Sequence, residues 1–571
     1  MTIRLLLLIV IAAPVWAQSP PADAPPEAVV EWIRTHAIPL AGADPALPDA
    51  DLDALAPVWG DALVLAIGEG THGTREFFQF RDRVVRWLAR RGDLDAVLWE
   101  TALAPSLPRE GALTDPDVPL EESIVHRSGM WATEENVALL AALREHNLAA
   151  ERPVRFVGAD MSDLTGGIGI GAAAAARVGG EAADAYAAMA QAFGADPAET
   201  CTDRRACFGV WETMTAARAR QFAEAVEWLA DALHAAGEPW TVTVATRAPG
   251  DLTRQFLPFI LQSPAATGTA LGEMGSTYRQ AQRDAQAAAD TLAAVLGEHD
   301  PAFWASVGPV VTAIPGGADV YRDSLDHAGR FAWDETARTV RARLATGRFG
   351  DVPELVAHAD ALVAWLDVVH ESLRRAPTHM DFDNYREVAL GRNVAEIADA
   401  IGGDGRVVFA AHNMHVGYNP SISLARRSSG AYARDALGDR YLAVGTFFGR
   451  GSFQAADQRR FQEGWDGPAW RAFEVEPAPG SFEAALAAAG LDAFALDLRQ
   501  LPDAGPVAEW FATARPVRDI GNSYHPDSPE QNVEDRVEAE GFDVVVFFQT
   551  ASRAVPTPAE IERGSYDLGA G

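Results

Sequence analysis

The chain is 571 residues long and 48% hydrophobic, with 80 acidic residues against 47 basic ones and a formal net charge of −33. That composition is globular and rich enough to bury a large core, over a length that permits two to four domains. Its charge repels phosphate backbones, so nucleic acid is not expected as a partner, and it speaks for solubility rather than for any fold.

The N-terminus has the pattern of an export signal. Arg4 precedes an apolar run from Leu5 to Ala13, followed by Val15-Trp16-Ala17. Residues 1–17 are therefore expected to be a signal peptide cut after Ala17, with an uncleaved N-terminal anchor as the alternative. The run is short for a membrane span, and the rest of the chain holds no longer apolar stretch, so the mature protein is expected to be periplasmic or secreted with no membrane association. Residues 18–26 (QSPPADAPP) read as a flexible leader. A helix opening at Pro26 or Glu27 carries Val29, Val30, Trp32 and Ile33 on one face.

From there strands and helices alternate. Short runs rich in Val, Ile, Leu or Phe at 63–67, 96–99, 154–157, 407–410, 441–445, 494–496 and 544–548 are the expected strands. Such runs between amphipathic helices predict an α/β fold, a mostly parallel sheet flanked by helices. Between about 171 and 375 the apolar residues recur at three and four, which predicts a large helical insertion. No internal repeat is evident, and the tail after Val555 is polar and expected to be loose. Cys201 and Cys207 are the only cysteines. In an exported chain this close pair is expected to form a local disulfide worth about 2–3 kcal/mol, the alternatives being a metal site or free thiols. Gly169-Ile170-Gly171 loosely mimics a dinucleotide loop but is expected to be a flexible entry to an Ala-rich helix.

The stretch Gly68-Glu69-Gly70-Thr71-His72-Gly73-Thr74-Arg75-Glu76 follows the first expected strand. Open α/β sheets place ligands at the carboxyl ends of their strands. There His72 is a candidate base, or a polar filler of the turn; Gly73 or Thr74 is expected to cap the next helix. Ala411-His412-Asn413-Met414-His415 follows the 407–410 strand, with two histidines on one face if a helix begins there. Glu100 and Asp160 end two further strands and point at the same rim, or serve as helix caps. A buried carboxylate needs a cation, and Arg81 on the helix after the His72 loop is a candidate partner.

GEGTHGTREFF, the WET around Glu100, RFVGAD around Asp160, AAHNMHVG and GTFFGRGSF, together with WIRTHAIPL and FDVVVFFQT, form an ordered set that resembles the erythromycin esterase family. The resemblance implies one hydrolase domain over 27–571 that opens esters or lactones, macrolides among them, by adding water to a small-molecule substrate without a cofactor. It implies His72 as the base, Glu69 and Glu100 as its acidic partners, His412 and His415 as the paired histidines and Arg81 as the active-site arginine. Asp160, Thr71 and Asn413, which lie in the same stretches, are expected to bind substrate. Met414 stands where the family has Gly, Gly70 where it has Ala, and Arg392 where it has an acid, a reversal expected to alter charge at the cleft. No GxSxG elbow is present, which argues against a serine nucleophile. The same residues suit a divalent metal, so a metal-dependent hydrolase is the main alternative. A non-catalytic envelope or exopolysaccharide-related binding protein is the other. Mass spectrometry of protein secreted from a Gram-negative host is expected to find Gln18 at the mature N-terminus; retention of Met1 would refute cleavage.

Overall fold

The computed structural model describes residues 24–118, 120, 129–163, 165–202, 206–207, 210, 214, 216–262, 271–316, 327–344, 353–375, 378–401, 403–418, 427–459, 470–562 and 566–567. The signal peptide expected at 1–17 lies outside them, as does most of the leader. The first helix, Glu27–His36, starts behind Pro26 as expected and buries Val29, Val30 and Ile33.

Among the described residues eleven strands form one sheet. They are β1 (Ile38–Pro39), β2 (Val64–Glu69), β3 (Leu94–Ala102), β4 (Arg155–Asp160), β5 (Arg406–His412), β6 (Tyr441–Asp457), β7 (Trp470–Val475), β8 (Ala493–Asp497), β10 (Ser523–Tyr524), β12 (Val544–Ala551) and β13 (Tyr566–Asp567). β9 (Arg515–Arg518) and β11 (Val533–Arg536) pair antiparallel beside it. The main path runs β1-β8-β12-β6-β2-β5-β3-β4. From β12 to β4 every pairing is parallel, whereas β8 runs against β12 and β7 against β6. All seven expected strands are present. The fold is α/β with a mostly parallel sheet, and the antiparallel members are the part that short apolar runs do not encode.

Both faces of the sheet are buried, which is why its strands read as continuous apolar runs. On β2, Leu65 and Ile67 enter one core while Val64 and Ala66 enter the other. β5 divides the same way, with Val408 and Ala410 against Val407, Phe409 and Ala411. Helices Ala50–Trp59, Arg75–Arg91 and Glu134–Ala149 close the first face; Glu27–His36, Thr378–Ile401 and Phe482–Ala488 close the second.

Among the described residues every element from Thr165 to Ile401 is a helix, in keeping with the expected helical insertion. They hold two cores of their own, one around Phe222, Leu229 and the Cys201–Cys207 disulfide, the other around Leu292, Trp365 and Val340. The Gly169-Ile170-Gly171 segment is not a flexible entry but lies inside helix Thr165–Val178. Glycine is used there for contact: a Cβ on Gly167 would sit 2.2 Å from the carbonyl oxygen of Ala245 on helix Trp240–Gln262. The expected loose tail is also anchored over its described part. Thr557 N donates to Ala132 O at 2.9 Å, and Thr557 is buried.

Phe409 is fully buried between β5 and the second face. Phe409→Ala is expected to cost about 3–5 kcal/mol, read as a lower urea midpoint at unchanged slope. A loss under about 1 kcal/mol would contradict this packing.

Candidate active site

β2 and β5 are paired in register so that Glu69 lies beside His412 at their carboxyl ends. This contact needs a bare backbone, since a Cβ on Gly68 would lie 2.1 Å from Asn413 Oδ1. The turn after Glu69 is pinned from three sides. His72 N donates to Gly521 O at 2.9 Å, while Gln454 N and Ala554 N both donate to Gly73 O. Thr74 precedes helix Arg75–Arg91, but its side chain makes no capping bond; its hydroxyl meets that of Thr71 at 2.6 Å.

Glu69 is 2% exposed and fully engaged. Its Oε1 faces His72 Nδ1 at 2.6 Å and accepts from Trp131 Nε1 at 3.1 Å; its Oε2 accepts from Arg81 Nη1 at 2.7 Å. Burial opposes the charge on Glu69, but Arg81 and His72 outweigh it and hold the carboxyl below its ordinary range. A carboxylate on Nδ1 makes that nitrogen the donor and leaves His72 Nε2 as a base. Arg81 lies 4.1 Å above the Trp99 ring and gives Nη2 to Asn136 Oδ1 at 2.8 Å. Both its terminal nitrogens are thus spent on holding Glu69 and the helix bearing Asn136.

His412 closes the other side, its ring centroid 5.2 Å from that of His72. As N-cap of helix Asn413–Val416, its Nδ1 accepts from Met414 N at 3.3 Å, which assigns the proton to Nε2. That Nε2 is buried without a hydrogen-bond partner, 3.2 Å from Asp519 Oδ1. Burial pushes His412 down to about 4, with His72 and His415 adding to the effect against Asp519 and Glu100. At neutral pH it is an uncharged donor.

His415 is its opposite. Nε2 meets Glu100 Oε1 at 3.1 Å and Nδ1 meets Glu387 Oε1 at 2.8 Å. Burial works against its charge, yet the two carboxylates raise it to about 10, with Arg386 opposing. Glu100 also accepts from Arg386 Nη2 at 2.8 Å and, through Oε2, from His412 N at 3.0 Å. Despite burial, His415 and Arg386 hold it well below its ordinary value. Asp160 binds Arg386 Nη2 at 2.6 Å. Asn413 turns both ends of its amide onto Thr446, accepting from its N–H and donating to its carbonyl, so it braces β6 against β5.

Structure therefore gathers His72, Glu69, Glu100, Arg81, His412, His415 and Asp160 into one buried cluster. It adds Trp131, Asn136, Arg386, Glu387, Asp519 and Arg536, none of which carries a motif. Arg392, expected at the cleft, instead pairs with Asp251 in the packing of two helices. The cluster's carboxylates are matched to arginines and His415. Among the described residues no group of three or more His, Cys, Asp and Glu is arranged to hold a metal ion.

The erythromycin esterase sequence profile matches residues 114–305 and 279–551. The chain belongs to the erythromycin esterase family. Members of that family are hydrolases acting on ester or lactone bonds, so the family resemblance holds at this level. Among solved structures, this family member is similar to a Bacillus cereus protein at 15% identity and TM-score 0.57, covering 93% of this chain and 98% of the other. A succinoglycan biosynthesis protein gives 15%, 0.56 and the same coverage; both likenesses concern the fold. A mutant of the erythromycin esterase EreC in its open conformation aligns at 13% identity and TM-score 0.41, over 89% of this chain and 95% of that one. No curated protein sequence matches the chain.

Arg81→Ala would strand the Glu69 charge in the interior and is expected to destabilise by about 3–5 kcal/mol. Adding Glu69→Gln should recover at least about half of that loss. Additive losses in the double-mutant cycle would mean that the two groups are not a buried pair.

Proposed function

We propose that this chain is an exported hydrolase that cleaves an ester or lactone with water activated by His72. The observation that carries the reading is the pairing of two uncommitted ring nitrogens in one buried cluster. His72 Nδ1 is held by Glu69, which leaves Nε2 to take a proton from water. His412 Nδ1 accepts from Met414 N, which leaves Nε2–H to donate.

Water held at His72 loses a proton to Nε2 as its oxygen attacks the ester carbonyl. The negative charge that builds on the carbonyl oxygen is stabilised by His412 Nε2–H, a neutral donor already in place. When the tetrahedral intermediate collapses, the bond to the alcohol oxygen breaks and the proton on His72 passes to that oxygen. Acid and alcohol leave, and His72 is again a base. No covalent enzyme intermediate is required. Arg81 keeps Glu69 ionised and oriented, and the Glu100, Arg386, Glu387 and His415 group supplies fixed charge behind the reacting atoms. Oxyanion stabilisation falls to His412 and not to Arg81, because both terminal nitrogens of Arg81 are engaged by Glu69 and Asn136.

The substrate is taken to be a small-molecule ester or lactone, with macrolide lactones among the candidates. Export is supported by the Cys201–Cys207 disulfide, since such bonds persist in oxidising compartments, and by the expected signal peptide. Among the described residues no helix is long and apolar enough to cross a membrane.

A mass-spectrometric screen of macrocyclic lactones, simple aryl esters and acylated saccharides against the wild type and His72→Ala tests the reading. Turnover of at least one ester is expected, with a loss of at least about 100-fold in kcat on substitution. Wild-type turnover by His72→Ala would remove the base from the mechanism, and abolition of wild-type turnover by a chelator would favour metal-assisted hydrolysis.

A further inference from the structure

Asp519 and Arg536 match no motif, yet they reach the cluster from the separate β9–β11 pair. Asp519 follows β9 and Arg536 ends β11, and the two strands pair antiparallel over Arg515–Arg518 and Val533–Arg536. The loop after β9 serves both imidazoles. Its Asp519 lies 3.2 Å from His412 Nε2, and its Gly521 carbonyl accepts from the backbone N–H of His72 at 2.9 Å. Asp519 itself is fixed, its Oδ2 accepting from Arg536 Nη2 and its N–H donating to Asn532 O at 2.9 Å. The Arg536 side chain is 3% exposed and also pairs with Glu534 at 3.0 Å.

We propose that Asp519 is the positioning residue for His412, holding its imidazole as the Nε2–H tautomer with that hydrogen available to the substrate. This rests on the hydrolase reading above. A lone pair on Nε2 would face a carboxylate oxygen 3.2 Å away, which is repulsive, whereas an N–H there is attracted to it. The approach is out of line for a hydrogen bond, for Nε2 has no such partner. The carboxylate therefore biases the proton's location without consuming the donor. Glu69 treats His72 differently, bonding Nδ1 directly at 2.6 Å. The two carboxylates thus set opposite roles, one imidazole as acceptor toward the substrate and its neighbour as donor. Asp519 keeps its negative charge in spite of burial because the Arg536 guanidinium lies beside it.

The test reads the imidazole directly as well as the rate. In 15N spectra of the whole protein, assigned with His412→Gln, wild-type His412 is expected to show a protonated Nε2 and an unprotonated Nδ1 near pH 7. A wild-type ring protonated at Nδ1 overturns the proposal without any variant. Asp519→Asn removes one of the two contacts that favour Nε2–H, the other being Met414 N on Nδ1, so the share of the Nδ1–H form should rise and kcat fall by about 100-fold with KM within about threefold. An unchanged tautomer in Asp519→Asn, or a shifted tautomer at wild-type kcat, equally overturns it. If Asp519→Asn fails to fold because Arg536 is left unpaired, the double variant Asp519→Asn/Arg536→Gln removes both charges and is read the same way. The spectra do not need a substrate. Absence of any ester turnover would sink the hydrolase reading while the tautomer still reports on Asp519.

Discussion

The cluster depends on keeping Glu69 ionised inside the protein. A lone carboxylate at 2% exposure would take up a proton rather than stay charged, and a neutral Glu69 would no longer demand a donor from His72. Arg81 prevents this from a distance of 2.7 Å, and is itself paid for by Glu69, Asn136 and the Trp99 ring. The pair adds little net stability in such surroundings. Its consequence is orientation, because the oxygen that Arg81 does not bond is left to fix the His72 ring, steadied by Trp131.

The same device recurs around the cluster with different outcomes. Two carboxylates drive His415 to a permanent charge, while a single off-line carboxylate leaves His412 neutral and tautomerically biased. Three imidazoles within 5.2 and 6.4 Å of one another thus occupy three electrostatic environments. Type of residue does not separate them; the number and angle of the neighbouring acids do.

Much of this was legible in the chain. The seven apolar runs became seven strands, and the motif residues at their ends, Glu69, Glu100, Asp160 and His412, meet because parallel strands bring their carboxyl ends to one rim. Arg81 was legible as the cation on the adjacent helix, since Glu69 had to be matched. Asp519, Arg536, Arg386 and Trp131 were not. They stand on a hairpin, a distant helix and a loop whose sequences carry no periodic or glycine-based signal, and only tertiary pairing delivers them. Strand direction was also hidden: the run at 494–496 reads like its parallel neighbours, although β8 runs against β12. The Gly169-Ile170-Gly171 segment reads as a flexible entry to a helix, because nothing local reveals the neighbouring helix that Gly167 makes room for.

Helix Thr378–Ile401 carries Arg386 and Glu387 into the cluster and ends just before β5, which delivers His412. Each residue of an α-helix turns the next by about 100°, so one inserted residue between 386 and 401 would swing the Arg386 guanidinium away from Glu100 and Asp160. The spacing from Arg386 to His412 is consequently a fixed gauge. Of the preceding helices, Trp240–Gln262 is tied to Thr378–Ile401 through Arg247–Glu396 and Asp251–Arg392, so a change of length there is transmitted to that gauge.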